Sequence, residues 1–517
     1  MTKTRGFLML VVAACGGSSS SGDDTPPDAS ARCVPVAGAA AETVMTTSGL
    51  VHGAVANETF AYKRVPFAAP PMGELRYAPP QPPACASGEI DATALGPVCP
   101  QLDNGAFVGD EDCLHLNIWT PSAPAGAPRP VMVWIHGGGN SIGSAVYPIY
   151  DGRRLAEVGD AIVVTTNYRL GQLGFLALGG DGAGVYGMLD QIAALQWVRD
   201  NIAAFGGDPS NVTIFGESAG ARDVCSLVAS PAAKGLFHRA IMESGSCKAL
   251  PTRTAAEQTA AQVATTVGCA AGDVACFRAL PAETIIRANA SDISGLSSGA
   301  YQPMIDGVVQ TDQPDNVIAA GAHSHVPFVV GANADETGNS APAIMTEAQY
   351  DALVHSQLPM AIADMALQQY PASAYPTPRA AYVRLTTDAR FVCPAREIAR
   401  AADAGQSDAV YRYFFQYRAS PLGAVHGLDV PYVFGTFDGI ETPNGNPYTP
   451  TATDLALSAS IQGYWTRFAR TGDPGGTPAW PLYGAADPTL VFDATVSTTD
   501  GIRTAHCDFW QPFYDAI

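Results

Sequence analysis

Charge is scarce in this chain, and positive charge scarcest. Of 517 residues only 15% are Asp, Glu, Lys or Arg, and 28 Lys and Arg stand against 48 Asp and Glu, a net charge of −20. Soluble domains ordinarily carry about 25% charged residues. So few cations exclude the phosphate neutralisation that nucleic acid requires, and give no pull toward an anionic membrane surface. No segment offers 18 continuous apolar residues, so no permanent spanning helix is expected. No Cys-x-x-Cys pair occurs, and the one close histidine pair, His323 and His325, has no neighbouring thiol, so no metal site is expected. From about Thr43 onward there is no internal repeat, charge run or second linker.

What is present begins with a leader. Lys3 and Arg5 precede an eight-residue apolar run, Phe7 to Ala14. It ends in Val12-Ala13-Ala14-Cys15, which is similar to a bacterial lipoprotein signal that is cleaved before a lipid-bearing cysteine. Residues 1–14 are therefore expected to be a signal peptide and Cys15 the lipidated residue. The Gly/Ser/Asp/Pro tract that follows is too polar to pack, so 15–42 is expected to be a flexible tether and 43–517 the body. Cysteine usage agrees with export. Eleven cysteines less Cys15 leave ten, an even number, in a chain bound for oxidising surroundings. Five disulfides are expected, with contact to a membrane only through the lipid.

In the body, apolar runs alternate with helix-length segments. The runs 130–135 (PVMVWI), 161–166 (AIVVTT), 211–215 (NVTIF), 326–330 (VPFVV) and 410–417 (VYRYFFQY) each lead into Gly-, Asn- or Arg-marked turns. Continuous apolar runs of this length suit strands buried on both faces, hence an α/β fold with a mainly parallel sheet. The clearest helix is expected from Met188 to Ala204, where Ile192, Leu195, Val198 and Ile202 form one apolar stripe. Gly206, Gly207 and Pro209 end it. In such a fold, sites lie at the carboxyl ends of the strands.

Two glycine-rich turns stand there. Gly216-Glu217-Ser218-Ala219-Gly220 fits G-x-S-x-G between a strand and a helix, the sharp turn that lifts a serine hydroxyl above a sheet. His136-Gly137-Gly138-Gly139 follows the PVMVWI strand. No Lys or Ser/Thr follows in phosphate-loop spacing, so its amides are read with that of Ala219 as donors to an oxyanion. His136 itself is read as structural. The fold's chain order of Ser, acid, His then asks for later partners. His426, in a loop after the VYRYFFQY strand, is the favoured base; His355 reads as a helix surface residue and His506 as held beside Cys507. Asp335 or Glu336, after the VPFVV strand, could orient the imidazole, and spacing alone does not choose between them.

Together these residues form a resemblance. GESAG, HGGG, EDCLHLNIW from Glu111, NYRLGQLGFLA from Asn167, the 190–209 segment, FHRAIMESG from Phe237 and VPYVFG from Val430 resemble the type-B carboxylesterase (cholinesterase-like) family from about Thr43 onward. The resemblance implies a single α/β-hydrolase domain that cleaves carboxylic esters without a cofactor. It matches Ser218 to the nucleophile, His426 to the histidine and Glu336, rather than Asp335, to the acid. Gly138, Gly139 and Ala219 match the oxyanion amides. It pairs Cys99 with Cys113, Cys269 with Cys276 and Cys393 with Cys507, leaving Cys33–Cys85 and Cys225–Cys247. The chain departs from cholinesterases in the 13-residue loop between Cys99 and Cys113, whose sole aromatic is Phe107. Without the tryptophan that would stack on a quaternary ammonium, choline esters are not expected as substrates. Asp223 near the serine, and Glu243 where relatives often carry Gln, are further departures. The expected function is ester hydrolysis by a Ser-His-Glu triad through an acyl-enzyme. The alternatives are a non-catalytic adhesion module, or an amidase or thioesterase with the same triad. The acyl pocket is expected from loops between Leu250 and Pro450.

Overall fold

The structure, a computed structural model, describes residues 33–38, 41–180, 183–288, 299, 301–419 and 421–515. The expected signal peptide, Cys15 and the tether up to residue 32 lie outside the described residues.

One sheet of eleven strands organises the body. In chain order these are β1 (Ala54–Ala56), β2 (Thr59–Pro66), β3 (His115–Pro121), β4 (Arg129–Ile135), β5 (Ile162–Thr166), β6 (Gly207–Glu217), β7 (Arg239–Glu243), β8 (Phe328–Asn333), β9 (Val410–Phe415), β10 (Pro488–Phe492) and β11 (Ser497–Asp500). Their order across the sheet is β11-β10-β9-β8-β7-β6-β4-β5-β3-β2-β1. From β5 to β10 every neighbouring pair is parallel, while both flanks are antiparallel. The parallel centre follows from composition: every residue of β4, β5, β8 and β9 is buried, as expected of strands covered by helices on both faces. This is an α/β-hydrolase arrangement.

Seven helices bear on the site: α1 (Tyr186–Asn201), α2 (Ala219–Ala229), α3 (Glu347–Gln357), α4 (Met360–Gln369), α5 (Cys393–Gly405), α6 (Ala452–Thr471) and α7 (Thr504–Tyr514). The first ends earlier than the apolar stripe predicts. A tighter turn over Ile202–Phe205 carries it to Gly206, whose φ of 84° closes the helix in the left-handed region. Nor is one stripe buried. Asp190 and Gln191 are also enclosed: Asp190 accepts from Arg169 at 2.7 Å, and the Gln191 amide donates to Asp223. Strand β6 begins at Gly207 rather than Asn211, with an irregular register between Gly207 and Val212 that accommodates Pro209.

Register aligns the strand ends that matter. Glu217 of β6 lies opposite Glu243 of β7, and Glu243 opposite Gly331 of β8. The residues just beyond, Ser218 and Ser244, therefore emerge side by side, with the end of β8 at Asn333 next to them.

Disulfides join Cys33 to Cys85, Cys99 to Cys113, Cys225 to Cys247, Cys269 to Cys276 and Cys393 to Cys507. The first ties the chain down ahead of residue 43. Residue 33 is fastened, the Val36 amide donates to Met45 and the Gly38 amide to Ala203, so attachment begins some ten residues before 43. Five disulfides mark a chain built for export to an oxidising setting. No helix among the described residues is long and apolar enough to cross a membrane.

Candidate active site

Ser218 sits between the end of β6 and the start of α2 with φ 60° and ψ −119°. A non-glycine residue there is strained, and the surroundings must hold it. They do so on both sides: the Ser218 amide donates to the Glu243 carbonyl at 2.9 Å, and the Arg222 amide donates to the Ser218 carbonyl at 3.1 Å. Gly220 is required because a Cβ there would collide with the Ile135 carbonyl oxygen of β4. The turn can be this tight only because two backbones nearly touch.

His426 Nε2 lies 2.7 Å from Ser218 Oγ, and His426 Nδ1 lies 2.6 Å from Glu336 Oε2. Glu336 is fully buried, with its other oxygen accepting the Asn333 amide at 2.6 Å. Its carbonyl accepts the His426 amide at 3.0 Å, so acid and base loops are tied at the backbone as well. Asn333 also donates its side chain to Val425 and Asp429, bridging the two loops. Asp335, the other sequence candidate, turns the opposite way and pairs with Arg418 at 2.8 Å. Phe391 packs on the imidazole, ring centroids 4.8 Å apart.

A second carboxyl faces the same imidazole. Glu217 Oε1 is 3.1 Å from His426 Nε2. Burial raises Glu217 to about 8, although the His426 charge pulls it back. For His426, burial favours the neutral ring, but the carboxylates of Glu217 and Glu336 outweigh it and raise the group to about 9. Glu217 and His426 thus stand close enough for a proton to pass between them, and the charge of each shifts the other. With the proton on Glu217, Nε2 is left free to accept another from the serine.

Two more acids lie behind. Glu243 is fully buried, accepts the Trp465 indole N–H at 2.8 Å, and is pushed well above the usual carboxylate range by burial and by nearby Asp429 and Glu217. Asp429 accepts the Tyr413 hydroxyl at 2.8 Å and is raised by burial and by Glu336. In these enclosed positions burial shifts the balance toward the neutral acid.

Opposite the serine runs the glycine loop. Gly138 and Gly139 have φ of 106° and 62°, and a Cβ on Gly138 would collide with the Ile142 carbonyl. No hydrogen bond among the described residues occupies the amides of Gly138, Gly139 or Ala219, and all three residues line one cavity with Ser218. The next residue, Asn140, props the loop. Its side chain donates to Asp223 at 3.1 Å and accepts the Tyr168 hydroxyl at 2.9 Å, while Gln191 supports Asp223 at 2.6 Å. Burial raises Asp223 to about 7. His136 stays out of the site: it is buried, stacked on Tyr168, bonded to the Gly137 carbonyl and lowered to about 4 by burial. His355 lies exposed on α3 with Asp364, and His506 pairs with Asp388.

The cavity in front of Ser218 encloses about 930 Å³. Its walls differ from the expected loops between Leu250 and Pro450. Leu358, Ile362 and Phe391 fall in that range, but Ser244–Ala249 precede it and Trp510, Phe513 and Tyr514 of α7 follow it. The aromatic cluster FWQPFY was the available signal. Cys507 on α7 fixes that wall to Cys393 on α5. The Cys99–Cys113 loop contributes nothing to the cavity; it forms a small hairpin and braces the glycine loop through Gln101, which accepts the Gly143 amide at 2.8 Å.

The Carboxylesterase family matches residues 40–510. The para-nitrobenzyl esterase of Bacillus subtilis (strain 168) is 36% identical over 478 residues, covering 88% of this chain and 96% of the relative. A human cocaine esterase is 36% identical, covering 91% and 90%. Among solved structures, a carboxylesterase of Geobacillus stearothermophilus superposes with TM-score 0.80 at 35% identity, covering 91% of this chain and all of that one. A PNB esterase superposes equally well, at the same identity. These relatives remove the adhesion-module alternative. The chain belongs to the carboxylesterase family and is a carboxylic ester hydrolase.

Proposed function

We propose that the chain cleaves carboxylic esters through a covalent acyl-enzyme on Ser218. Oγ attacks the ester carbonyl while His426 Nε2 takes its proton, and Glu336 holds the Nδ1–H tautomer and steadies the imidazolium. The carbonyl oxygen becomes an anion facing the amides of Gly138, Gly139 and Ala219, each such donor being worth about 3–4 kcal/mol. Imidazolium returns the proton to the alcohol oxygen as the C–O bond breaks. Water then repeats the sequence on the acyl-enzyme, its proton going to His426 and back to Ser218 as the acid leaves.

The observation that carries this reading is the unbroken run of short hydrogen bonds from Ser218 through His426 to Glu336 at the floor of an apolar-walled cavity. A para-nitrobenzyl ester, the compound class in the name of the Bacillus relative, is of a size and polarity that such a cavity accepts. The test is hydrolysis of p-nitrophenyl butyrate by Ser218→Ala, expected to fall by about 10⁴-fold or more with unchanged melting temperature. Wild-type-like turnover in that variant would refute the assignment.

We also infer a lipid on Cys15, supported by the sequence around it. Metabolic labelling with a radioactive fatty acid should mark the wild-type chain and not Cys15→Ser; equal labelling would end that reading.

A further inference from the structure

A second cavity of about 980 Å³ lies on the far side of the histidine loop, and its lining includes His426 and Asn339 from the back. Three guanidinium groups face it, those of Arg379, Arg384 and Arg418, in a chain that has few cations to spend. Two are engaged. Arg418 pairs with Asp335, and Arg379 donates to the carbonyls of Gly338 and Pro342. Arg384 is different. Among the described residues no side chain or carbonyl makes a hydrogen bond or ion pair with it, although it is half-buried. The carboxylates nearest to it electrostatically are already committed: Asp388 to Arg503 and His506, Asp335 to Arg418. A guanidinium partly withdrawn from water without a carboxylate of its own in contact is costly. Burial and the like charge of Arg503 push its proton affinity down, and Asp388, Tyr375 and Asp335 offset that only in part, which leaves strain an incoming anion would relieve. The remainder of the wall is largely apolar, with Tyr375, Val383, Leu422, Leu428 and Ile440.

We propose that this recess binds an organic carboxylate, its charged end on Arg384 beside Arg418 and its hydrocarbon body against the Val383–Leu428 wall. A phosphate or sulfate lacks the body to fill the apolar part, and an alcohol or alkane lacks the charge to answer Arg384. The assignment goes beyond ester hydrolysis and does not depend on it. The carboxylate could be the acid released by the reaction or an unrelated one, since both present the same chemistry.

The experiment is calorimetric titration of decanoate into the full chain after Ser218 has been capped with an organophosphonate, so that the front cavity is filled. We expect one decanoate per chain, weakened at least tenfold by Arg384→Gln and restored to within about threefold by Arg384→Lys. Hydrolysis of p-nitrophenyl acetate by uncapped Arg384→Gln, expected unchanged, shows that the fold is intact. Capped protein that takes up no decanoate, Arg384→Gln that binds it as well as wild type, or decanol or inorganic phosphate that binds as tightly as decanoate would each overturn the proposal. Titrating an acid whose ester the enzyme cleaves against one whose ester it does not would tell the two sources apart, and tight binding of either supports the recess. Failure of the phosphonate to attach, read by mass, would count against Ser218 as nucleophile. Titration of the uncapped wild type and Arg384→Gln would still decide the recess.

Discussion

Glu217 Oε1 stands 3.1 Å from His426 Nε2, so the ring nitrogen that meets the serine meets a carboxyl as well. That carboxyl stabilises the imidazolium and so opposes the base form that catalysis needs. Replacing it with an amide removes the charge and keeps the shape. In Glu217→Gln, the acid limb of the pH profile of kcat/KM should move downward by about one unit, since one unit corresponds to 1.36 kcal/mol of preferential interaction. A profile unmoved, or moved upward, would show that Glu217 does not set the basicity of His426.

The opposing carboxylate should separate cleanly from its neighbour in sequence. Glu336→Gln leaves a group of the same shape but frees the imidazole to adopt the wrong tautomer, a change worth about 10⁴ in kcat in a comparable triad. Asp335→Asn removes only the pairing with half-exposed Arg418, a contact of the kind worth about 1 kcal/mol or less, and should leave kcat within about threefold. Steady-state kinetics on the pair decides; equal losses would mean that the two acids share the task.

Glu243 makes a prediction about stability rather than rate. Its folded value is raised above that of the unfolded chain, so the native state keeps a proton that the unfolded state releases. The stability this gives is full below the ordinary glutamate value of about 4.3 and is lost as pH rises toward the folded value. Glu243→Gln cannot ionise and retains an oxygen for the Trp465 indole. Its melting temperature should therefore fall less between pH 5 and pH 8 than that of wild type, with the variant the more stable at pH 8. Parallel curves from thermal scans would show that Glu243 is ionised in the folded chain.

Asp223 should act through Asn140 and not on the substrate. Asp223→Ala leaves two buried amide donors, on Asn140 and Gln191, without their acceptor, at about 1–3 kcal/mol for each orphaned group. The glycine loop then loses its prop, and kcat should drop while KM for p-nitrophenyl butyrate changes little. Asp223→Asn, which keeps an acceptor oxygen, should recover most of the rate. A loss confined to KM would place Asp223 in substrate binding instead.

Much of this was legible in the sequence because the chemistry sits where strands end. Gly216, Gly220 and Gly138 announce backbone that no side chain could share, and the runs before them are too uniformly apolar to be anything but enclosed strands. What escaped has a common cause: it depends on which distant residues meet. Glu217 occupies the variable position of its pentapeptide, and nothing local shows that it would touch a histidine from another loop. Asn333 was visible within GANADE, yet its bridging of Val425 and Asp429 exists only once both loops are folded. The aromatic wall of α7 was missed because the pocket was sought near the middle of the chain. Its apolar residues belong to a helix held in place by a disulfide, which the expected pairing gave without saying what the helix would cover. The isolation of Arg384 could not be read at all, since a lone arginine in a sequence does not reveal that its neighbours are already spoken for.

The helix carrying Trp510, Phe513 and Tyr514 follows every residue of the triad in order along the chain, and a covalent staple secures it to α5. Synthesis therefore delivers Ser218, Glu336 and His426 well before it delivers the panel that finishes their enclosure. Until that panel has been delivered and fastened by oxidation, Ser218 faces an incomplete chamber. The last stretch of chain to be made is thus the one that closes the chamber, and a disulfide is what holds it shut.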